Sequence, residues 1–520
     1  MSPIEVYAAR FGKNYKWLAS VTVMSSAVMT TGASTMVNVA LPDIMGAFGL
    51  GQDQVQWLST GFLASMTATM LLTAWILRNF GYRFCFLGAM TVFSIGSLIG
   101  AISVSNAEII FARVLQGMAA GLIQSSSMVV LSQVFPREQR GRAMGIYTIG
   151  VILAPALGPA FAGFLVDEYS WRYVFISLMP FCLISMGMAM VFLPGRDPSG
   201  EKLPLDGWGL LSLCAFLCCL LTALSNGQRW GWDSDMLLLL FFLAAVFAAA
   251  FIIREATCRF PLLNIRLFVN KNFAVCCLVA FALGAGIYGS TYIVPLFVQL
   301  VQGYTPTRSG FLLMPAGFAL AVISPVAGLL GDRLPPWIPV TAGLLLFGLS
   351  NYLCGGGDVD TAFWTFAIWI VWGRVGLGLI NPSLNAGALR TLPHEQLAQG
   401  AGSLNFIRQL GGVLGVNLLS TFIDRSTMFH SDALAQNLDY SNPAAGEAVR
   451  QLNLILTADG NPFGARLSSG TPPAAMEYLE MVIVPKARLF AYQDGFMVVG
   501  IVFFLIIPLA LLIRGHKTAD

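Results

Sequence analysis

Fourteen runs of 17 to 29 residues, continuously apolar and nearly free of charge, partition this chain of 520 residues. They lie at 17–40, 55–77, 84–104, 109–131, 143–166, 173–193, 208–224, 236–253, 273–301, 311–330, 338–354, 362–384, 402–423 and 495–513. A hydrocarbon layer about 30 Å thick takes about 20 residues of helix, because each backbone N–H and C=O must find its partner within the segment. Strands of a membrane barrel would run about ten residues with alternating polarity, so these runs read as helices. Only 11% of residues are charged, against about 25% in soluble proteins. With 29 Lys and Arg against 26 Asp and Glu and no dense basic run, neither nucleic-acid binding nor a disordered scaffold fits. The first run is too long, and lacks the small-residue site, for a removed signal peptide. The chain reads as an all-α polytopic membrane protein.

Orientation follows from the distribution of Lys and Arg. Eighteen fall on the side of both termini, whereas the short loops of the other side hold only Arg172, Arg229 and Arg308, so both termini are expected in the cytoplasm. The nine cysteines lie almost wholly inside the runs and show no metal-ligand spacing, and no metal or cofactor is expected.

An internal echo relates the two ends. PREQRGRAMG at 136–145 and PHEQLAQGAG at 393–402 match at Pro136/Pro393, Glu138/Glu395, Gln139/Gln396 and Gly145/Gly402, and Arg113 and Arg374 sit in the corresponding runs upstream. A duplicated six-helix unit is a transporter architecture. It divides the chain into an N-terminal bundle at 1–193, a linker with two extra spans at 194–272, and a C-terminal bundle at 273–520 with a long outer stretch at 424–488.

A charge at bilayer depth costs roughly 2.5–3.5 kcal/mol on insertion scales, so Arg113, Arg374 and Arg408 must face a polar interior or a partner. Arg113 has Gln116 on its own helical face. It reads either as a fixed cation steering protons or an anionic group, or as an interhelical strut. In the fifth run Gly150, Ala154, Gly158 and Ala162 recur every four residues, a ridge on which another helix can approach closely. Pro155 and Pro159 each remove a donor there, so a kinked, sliding seal ending near Gly163 is expected, with plain packing as the alternative. In GLLGDR, Gly328 to Arg333, the carboxylate of Asp332 reads as a conformational latch on a neighbouring helix N-terminus, or as a charge that stops a helix. Polar and aromatic residues available to line a substrate cavity are Thr30, Asn38, Gln124, Tyr288, Tyr292 and Arg408. A weakly basic cavity without acids favours neutral or anionic amphiphiles.

These residues resemble the fourteen-spanner drug:proton antiporters of the major facilitator superfamily, and within it the EmrB-like efflux permeases. STMVNVALP (Ser34 to Pro42) looks like the family's motif at the end of helix one, RVLQGMAAG (Arg113 to Gly121) is similar to its helix-four motif, APALGPAFAG (Ala154 to Gly163) to its antiporter motif, and GLLGDR to its helix-turn motif. The resemblance covers nearly the whole chain. It implies the major facilitator fold with two bundles of six helices and two inserted helices, no enzymatic reaction, and export of lipophilic or amphipathic compounds from the bacterial inner membrane. It also implies antiport against protons, antibiotic resistance, and a tripartite pump in which the stretch 424–488 meets a periplasmic adaptor that joins an outer-membrane channel.

The chain departs from the family pattern at Ala33, where the motif carries Asp, and at Ala74 and Arg78 in the first helix-turn motif. No run holds a His or a central carboxylate; Asp43, Glu108, Asp424 and Asp494 come near run ends on the outer side. Asp43 and Glu108 therefore join Arg113, Gln116 and Arg374 as candidate coupling residues, and an exporter or facilitator not coupled to protons stands as the alternative. A membrane-embedded transferase would need a cluster of acids, His or metal ligands at one face, and a channel would not need duplicated halves.

Overall fold

A computed structural model of the chain describes residues 12, 15–135, 139–195, 204–258, 261–390, 392–393, 396–436, 447 and 474–513, and no strand occurs among them. In chain order the helices are α1 (Tyr15–Phe48), α2 (Gln52–Ile102), α3 (Asn106–Val134), α4 (Arg140–Glu168), α5 (Arg172–Ile176) and α6 (Leu178–Phe192). They continue with α7 (Gly207–Trp230), α8 (Asp235–Thr257), α9 (Lys271–Leu300), α10 (Pro306–Arg333), α11 (Trp337–Gly355), α12 (Phe363–Leu389), α13 (Leu397–Gln436) and α14 (Ala474–Leu511). Among the described residues, twelve helical segments are long and apolar enough to cross a membrane.

Two features explain how that number relates to the fourteen runs. α2 is 51 residues long and breaks at Gly81, whose φ of 83° lies in the left-handed region that favours glycine. Its arms then run back along each other: Gly61 of the first arm and Gly96 of the second both meet the turn of α3 between Ile110 and Gln116. α1 is as long as the other helices, but Thr22, Ser26, Thr30 and Thr35 dilute its hydropathy. Their hydroxyls donate to carbonyls three or four residues upstream, which satisfies them inside the helix.

Two bundles of six follow from the packing. α1 packs on α3, α4 and α6, and α9 packs in the same way on α12, α13 and α14. Between the bundles, α4 meets α10, α2 meets α13, and α1 meets α9. In each of the first two pairs the second span of one bundle faces the fifth span of the other, as a twofold relation requires. α7 and α8 pair with each other, and α7 rests against α2 and α13 through Asn417 Nδ2 to Ser225 Oγ at 2.7 Å. The end of the molecule with Phe48, Gln52 and Glu168 is called distal here, and the end with Tyr15 and Gly81 proximal.

Helix enters the stretch 424–488, expected outside the membrane, from both ends. α13 continues helically to Gln436, and α14 begins at Ala474. Polar side chains of these segments meet between the two helices. His430 Nε2 lies 2.7 Å from Asp494 Oδ2, and Ser426 Oγ donates to the same oxygen at 2.7 Å. His430 and Asp494 both lie within long helices. At 1.5 Å per residue, α13 with its 40 residues is about 60 Å long, about twice the hydrocarbon thickness, so part of it stands clear of the lipid.

Candidate functional site

α3 approaches the first arm of α2 so closely that backbone meets backbone. A Cβ on Gly117 would overlap the carbonyl of Phe62, and one on Gly121 the carbonyl of Met66. Arg113 stands four residues before Gly117 on that face, and the approach brings its Nε to the carbonyl of Leu58 at 3.0 Å. Nη1 donates to the Ala33 carbonyl at 3.3 Å and to Gln116 Oε1 at 2.9 Å, and Gln116 passes the chain on to Ser97 Oγ at 2.9 Å. The guanidinium also lies 4.2 Å from the centroid of the Phe62 ring. The side chain is fully buried, and its Nη2 has no hydrogen-bond partner among the described residues. Arg113 and Gln116 therefore do form one unit, and the carbonyl that receives the guanidinium belongs to Ala33, where the family pattern has Asp.

A polar chain joins the bundles beside this unit. Asn38 Nδ2 donates to the Thr291 carbonyl at 3.3 Å, Ser59 Oγ donates to Asn38 Oδ1 at 2.7 Å, and Arg374 Nη2 donates to Thr291 Oγ1 at 3.0 Å. Asn38, Phe62, Leu63, Tyr288, Tyr292 and Val416 line a small cavity between the bundles. Arg374 lines a second one inside the C-terminal bundle, with Ser290, Asn351 and Phe496. Of the predicted cavity residues, Asn38, Tyr288 and Tyr292 come together. Gln124 Oε1 accepts from Gln409 Nε2 at 3.4 Å, across the interface between α3 and α13. Thr30 is buried with its hydroxyl bonded inside α1.

The two candidate carboxylates are placed elsewhere. Asp43 is exposed at the distal end of α1. Glu108 is exposed and closes a capping box on α3: its Oε2 accepts the Val104 N–H at 2.8 Å, and its own N–H donates to Ser105 Oγ at 3.4 Å. Neither faces the buried arginines. Among the described residues the ion pairs are Arg254 with Asp206 and His430 with Asp494, so Arg113, Arg374 and Arg408 have no acidic partner there.

The ridge on α4 is a close-packed surface, but its partner lies within its own bundle. Gly150 faces Met24, Ala154 faces Gly32, and Gly158 faces Thr35 and Met36, all on α1. The contact between bundles uses the adjoining face. A Cβ on Gly310 would overlap the Pro159 carbonyl, one on Gly317 the Cβ of Ala156, and one on Gly163 the Pro306 carbonyl. α4 stays helical through both prolines. Sequence reasoning found the α4 surface and missed Gly310 and Gly317. Their spacing of seven, equal to that of Ala156 and Gly163, was the available signal.

These contacts seal the distal end. Asp167 Oδ2 accepts the Thr307 N–H at 2.8 Å, at the start of α10, where the first turn has unused donors. Gln299 Nε2 reaches the Val39 carbonyl at 3.0 Å, and Tyr492 Oη donates to Gln52 Oε1 at 3.4 Å. At the proximal end, Gly328 lies in α10, and the side chains of Asp332 and Arg333 lie outside the described residues, as do Pro136, Glu138 and Glu395 of the internal echo.

Residues 23–416 match the family model of the Major Facilitator Superfamily. The chain belongs to that superfamily. This major facilitator transporter is 28% identical over 445 residues to the multidrug transporter protein MdtP of Bacillus subtilis (strain 168), covering 85% of this chain and 82% of the relative. It is 28% identical over 425 residues to the multidrug export protein EmrB of Escherichia coli (strain K12), covering 81% and 82%. Its fold is similar, with a TM-score of 0.61 at 16% identity, to that of a bacterial homolog of the human lysosomal transporter Spinster in an inward-facing, unoccupied conformation, covering 98% of this chain and all of the other. It is a multi-pass membrane protein, of the inner membrane in bacteria.

Proposed function

We propose that the protein exports lipophilic or amphipathic compounds by alternating access, with fourteen crossings, both termini cytoplasmic and the distal end outward. The fourteen are reached by counting the arms of α2 separately and including α1. The observation that carries this reading is the seal: α4 meets α10 through backbone and small residues, and a cavity lies between the bundles, lined by both. Such a seal closes one side of a central site, and the matching twofold arrangement provides for its opposite. The multidrug relatives add support for the substrate class.

In this reading the protein is the inner-membrane permease of a tripartite pump, and the helical ends of α13 and α14 with residues 437–473 meet a periplasmic adaptor joined to an outer-membrane channel. Protons drive it. Deleting 437–473 then stops efflux from cells while sparing transport in proteoliposomes. A second reading, exchange or facilitation without protons, is favoured by Ala33 and by the absence of an acid from the described lining of the central cavity. Proteoliposomes under an imposed pH gradient, offered neutral, anionic and cationic amphiphiles, decide between them. Accumulation that scales with the gradient supports antiport, accumulation indifferent to it supports the second reading, and no movement of any probe removes both.

A further inference from the structure

We propose that Arg408 seats an acidic headgroup, so that the preferred cargo is an amphiphile carrying a carboxylate, sulfonate or phosphate. This rests on the exporter reading above and narrows it.

Arg408 lies on α13, the fifth span of the C-terminal bundle. Its Nη1 donates to Asn381 Oδ1 at 2.6 Å and its Nη2 to Asn405 Oδ1. Asn381 Oδ1 also accepts from Asn385 Nδ2 at 3.3 Å, which holds that carbonyl toward the guanidinium. Two amide oxygens orient the fork without neutralising it. A guanidinium has five donors, and these two bonds leave three unused. No carboxylate forms an ion pair with Arg408 among the described residues. Leaving such a charge uncompensated away from bulk water is costly, and a ligand that supplies the missing anion recovers that cost on binding. A planar fork with free donors matches a carboxylate or phosphate in two parallel hydrogen bonds.

The other two intramembrane arginines are less suited. Arg113 is fully buried and engaged by three oxygens, and Arg374 lines a cavity inside its own bundle. Arg408 is half-buried, as Arg374 is, but it is the neighbour of Tyr288. The Tyr288 ring packs over Gly412, where a Cβ would overlap it, and the same residue lines the cavity between the bundles with Phe62, Leu63 and Val416. A cation and a cavity whose lining joins Phe62, Leu63 and Val416 to Ser34, Asn38 and Ser59 thus stand one tyrosine apart. That is the pattern of a charged head and an apolar tail.

The test uses three probes with one fluorophore and one tail: pyrenebutanoate, pyrenebutanol and pyrenebutyl-trimethylammonium. Their binding to the full-length transporter in nanodiscs of zwitterionic lipid is followed by fluorescence anisotropy against empty nanodiscs. The wild type is expected to prefer the acid over the alcohol by about tenfold or more, the worth of one charge-assisted hydrogen bond, and to bind the ammonium least. Arg408→Gln brings acid and alcohol to equal affinity. Asn381→Asp, nearly isosteric, gives Arg408 an internal counter-ion and abolishes the preference with the arginine still present. Equal binding of acid and alcohol by the wild type overturns the headgroup site and leaves the exporter reading intact, as does a preference that survives in both variants. Binding of none of the three overturns the site together with the amphiphile reading.

Discussion

Asn38 and Thr291 stand on the first spans of the two bundles and are joined by a hydrogen bond of 3.3 Å from Nδ2 to the backbone carbonyl. Thr291 also receives Arg374 on its hydroxyl, and Asn38 receives Ser59, so this bond links the polar interiors of both halves. Opening the distal end requires it to break. Asn38→Ala is expected to raise the distal-open population by about 2- to 10-fold, the worth of a net hydrogen bond of roughly 0.5–1.5 kcal/mol. Spin labels at the exposed Asp43 and Arg308 should report longer distances in the variant; an unchanged distribution would mean that the bond does not hold the closed state.

The seam between α4 and α10 predicts a steric effect. Gly317→Val places three carbons where Ala156 already stands, and overpacking typically costs 1–3 kcal/mol. The closed distal packing is then lost, and transport falls at least tenfold while the protein still reaches the membrane. Gly88→Ala, at a glycine of α2 with open space around it, serves as the tolerated control. Equal transport by Gly317→Val and Gly88→Ala would remove the seam from the mechanism.

Arg113 is held by three oxygens from two helices and its own, a geometry that one ammonium cannot reproduce. Arg113→Ala and Arg113→Lys should both abolish efflux, with the membrane-inserted amount within about twofold of wild type. Normal efflux by Arg113→Lys would reduce the residue to a carrier of charge.

Ala33→Asp tests the departure from the family pattern. The new carboxylate arises on the turn whose carbonyl already accepts Arg113, next to the unused Nη2. Transport measured from pH 5 to 8 should follow a different pH profile in the variant than in the wild type. Identical profiles would place position 33 outside the coupling path.

Asp206 precedes α7, outside the spans, and accepts the Gly209 N–H at 3.1 Å and the Arg254 Nε at 2.9 Å. Burial alone would raise its pKa, but these donors outweigh burial and hold the carboxyl below its ordinary value. A depressed carboxylate contributes stability that is complete above its unfolded value of about 3.9 and is lost as pH falls through the folded value. The contribution of Asp206 to the joint between α7 and α8 should therefore be constant between about pH 5 and 8, and Asp206→Asn should loosen the joint at neutral pH. Hydrogen exchange at residues 206–210 at pH 7 reads the outcome; equal protection in Asp206→Asn and the wild type would contradict the assignment.

How much of this was legible depends on what governs each feature. The spans were readable because lipid imposes a continuous apolar run, a constraint each segment satisfies on its own. Arg113 with Gln116 was readable because a helix places i and i+3 together. The partner of the α4 ridge was not, because small residues permit close approach to any smooth helix, and the choice between α1 and α10 depends on how the bundles assemble. The bonds of Ser426 and His430 to Asp494 were not readable, because they depend on how α13 and α14 pack together. Glu108 was readable as a carboxylate near a span end, but its bond to the Val104 N–H was not, because it depends on the local turn before α3.

The joint between α4 and α10 has no teeth. Gly310, Gly317 and Gly163 present bare main chain and Ala156 a single methyl, so at these positions no long side chain must be withdrawn before the halves can rock. Switching of this protein is consequently governed by a few separable polar clasps, and its rate should respond to their removal one at a time rather than to the bulk of the surrounding core.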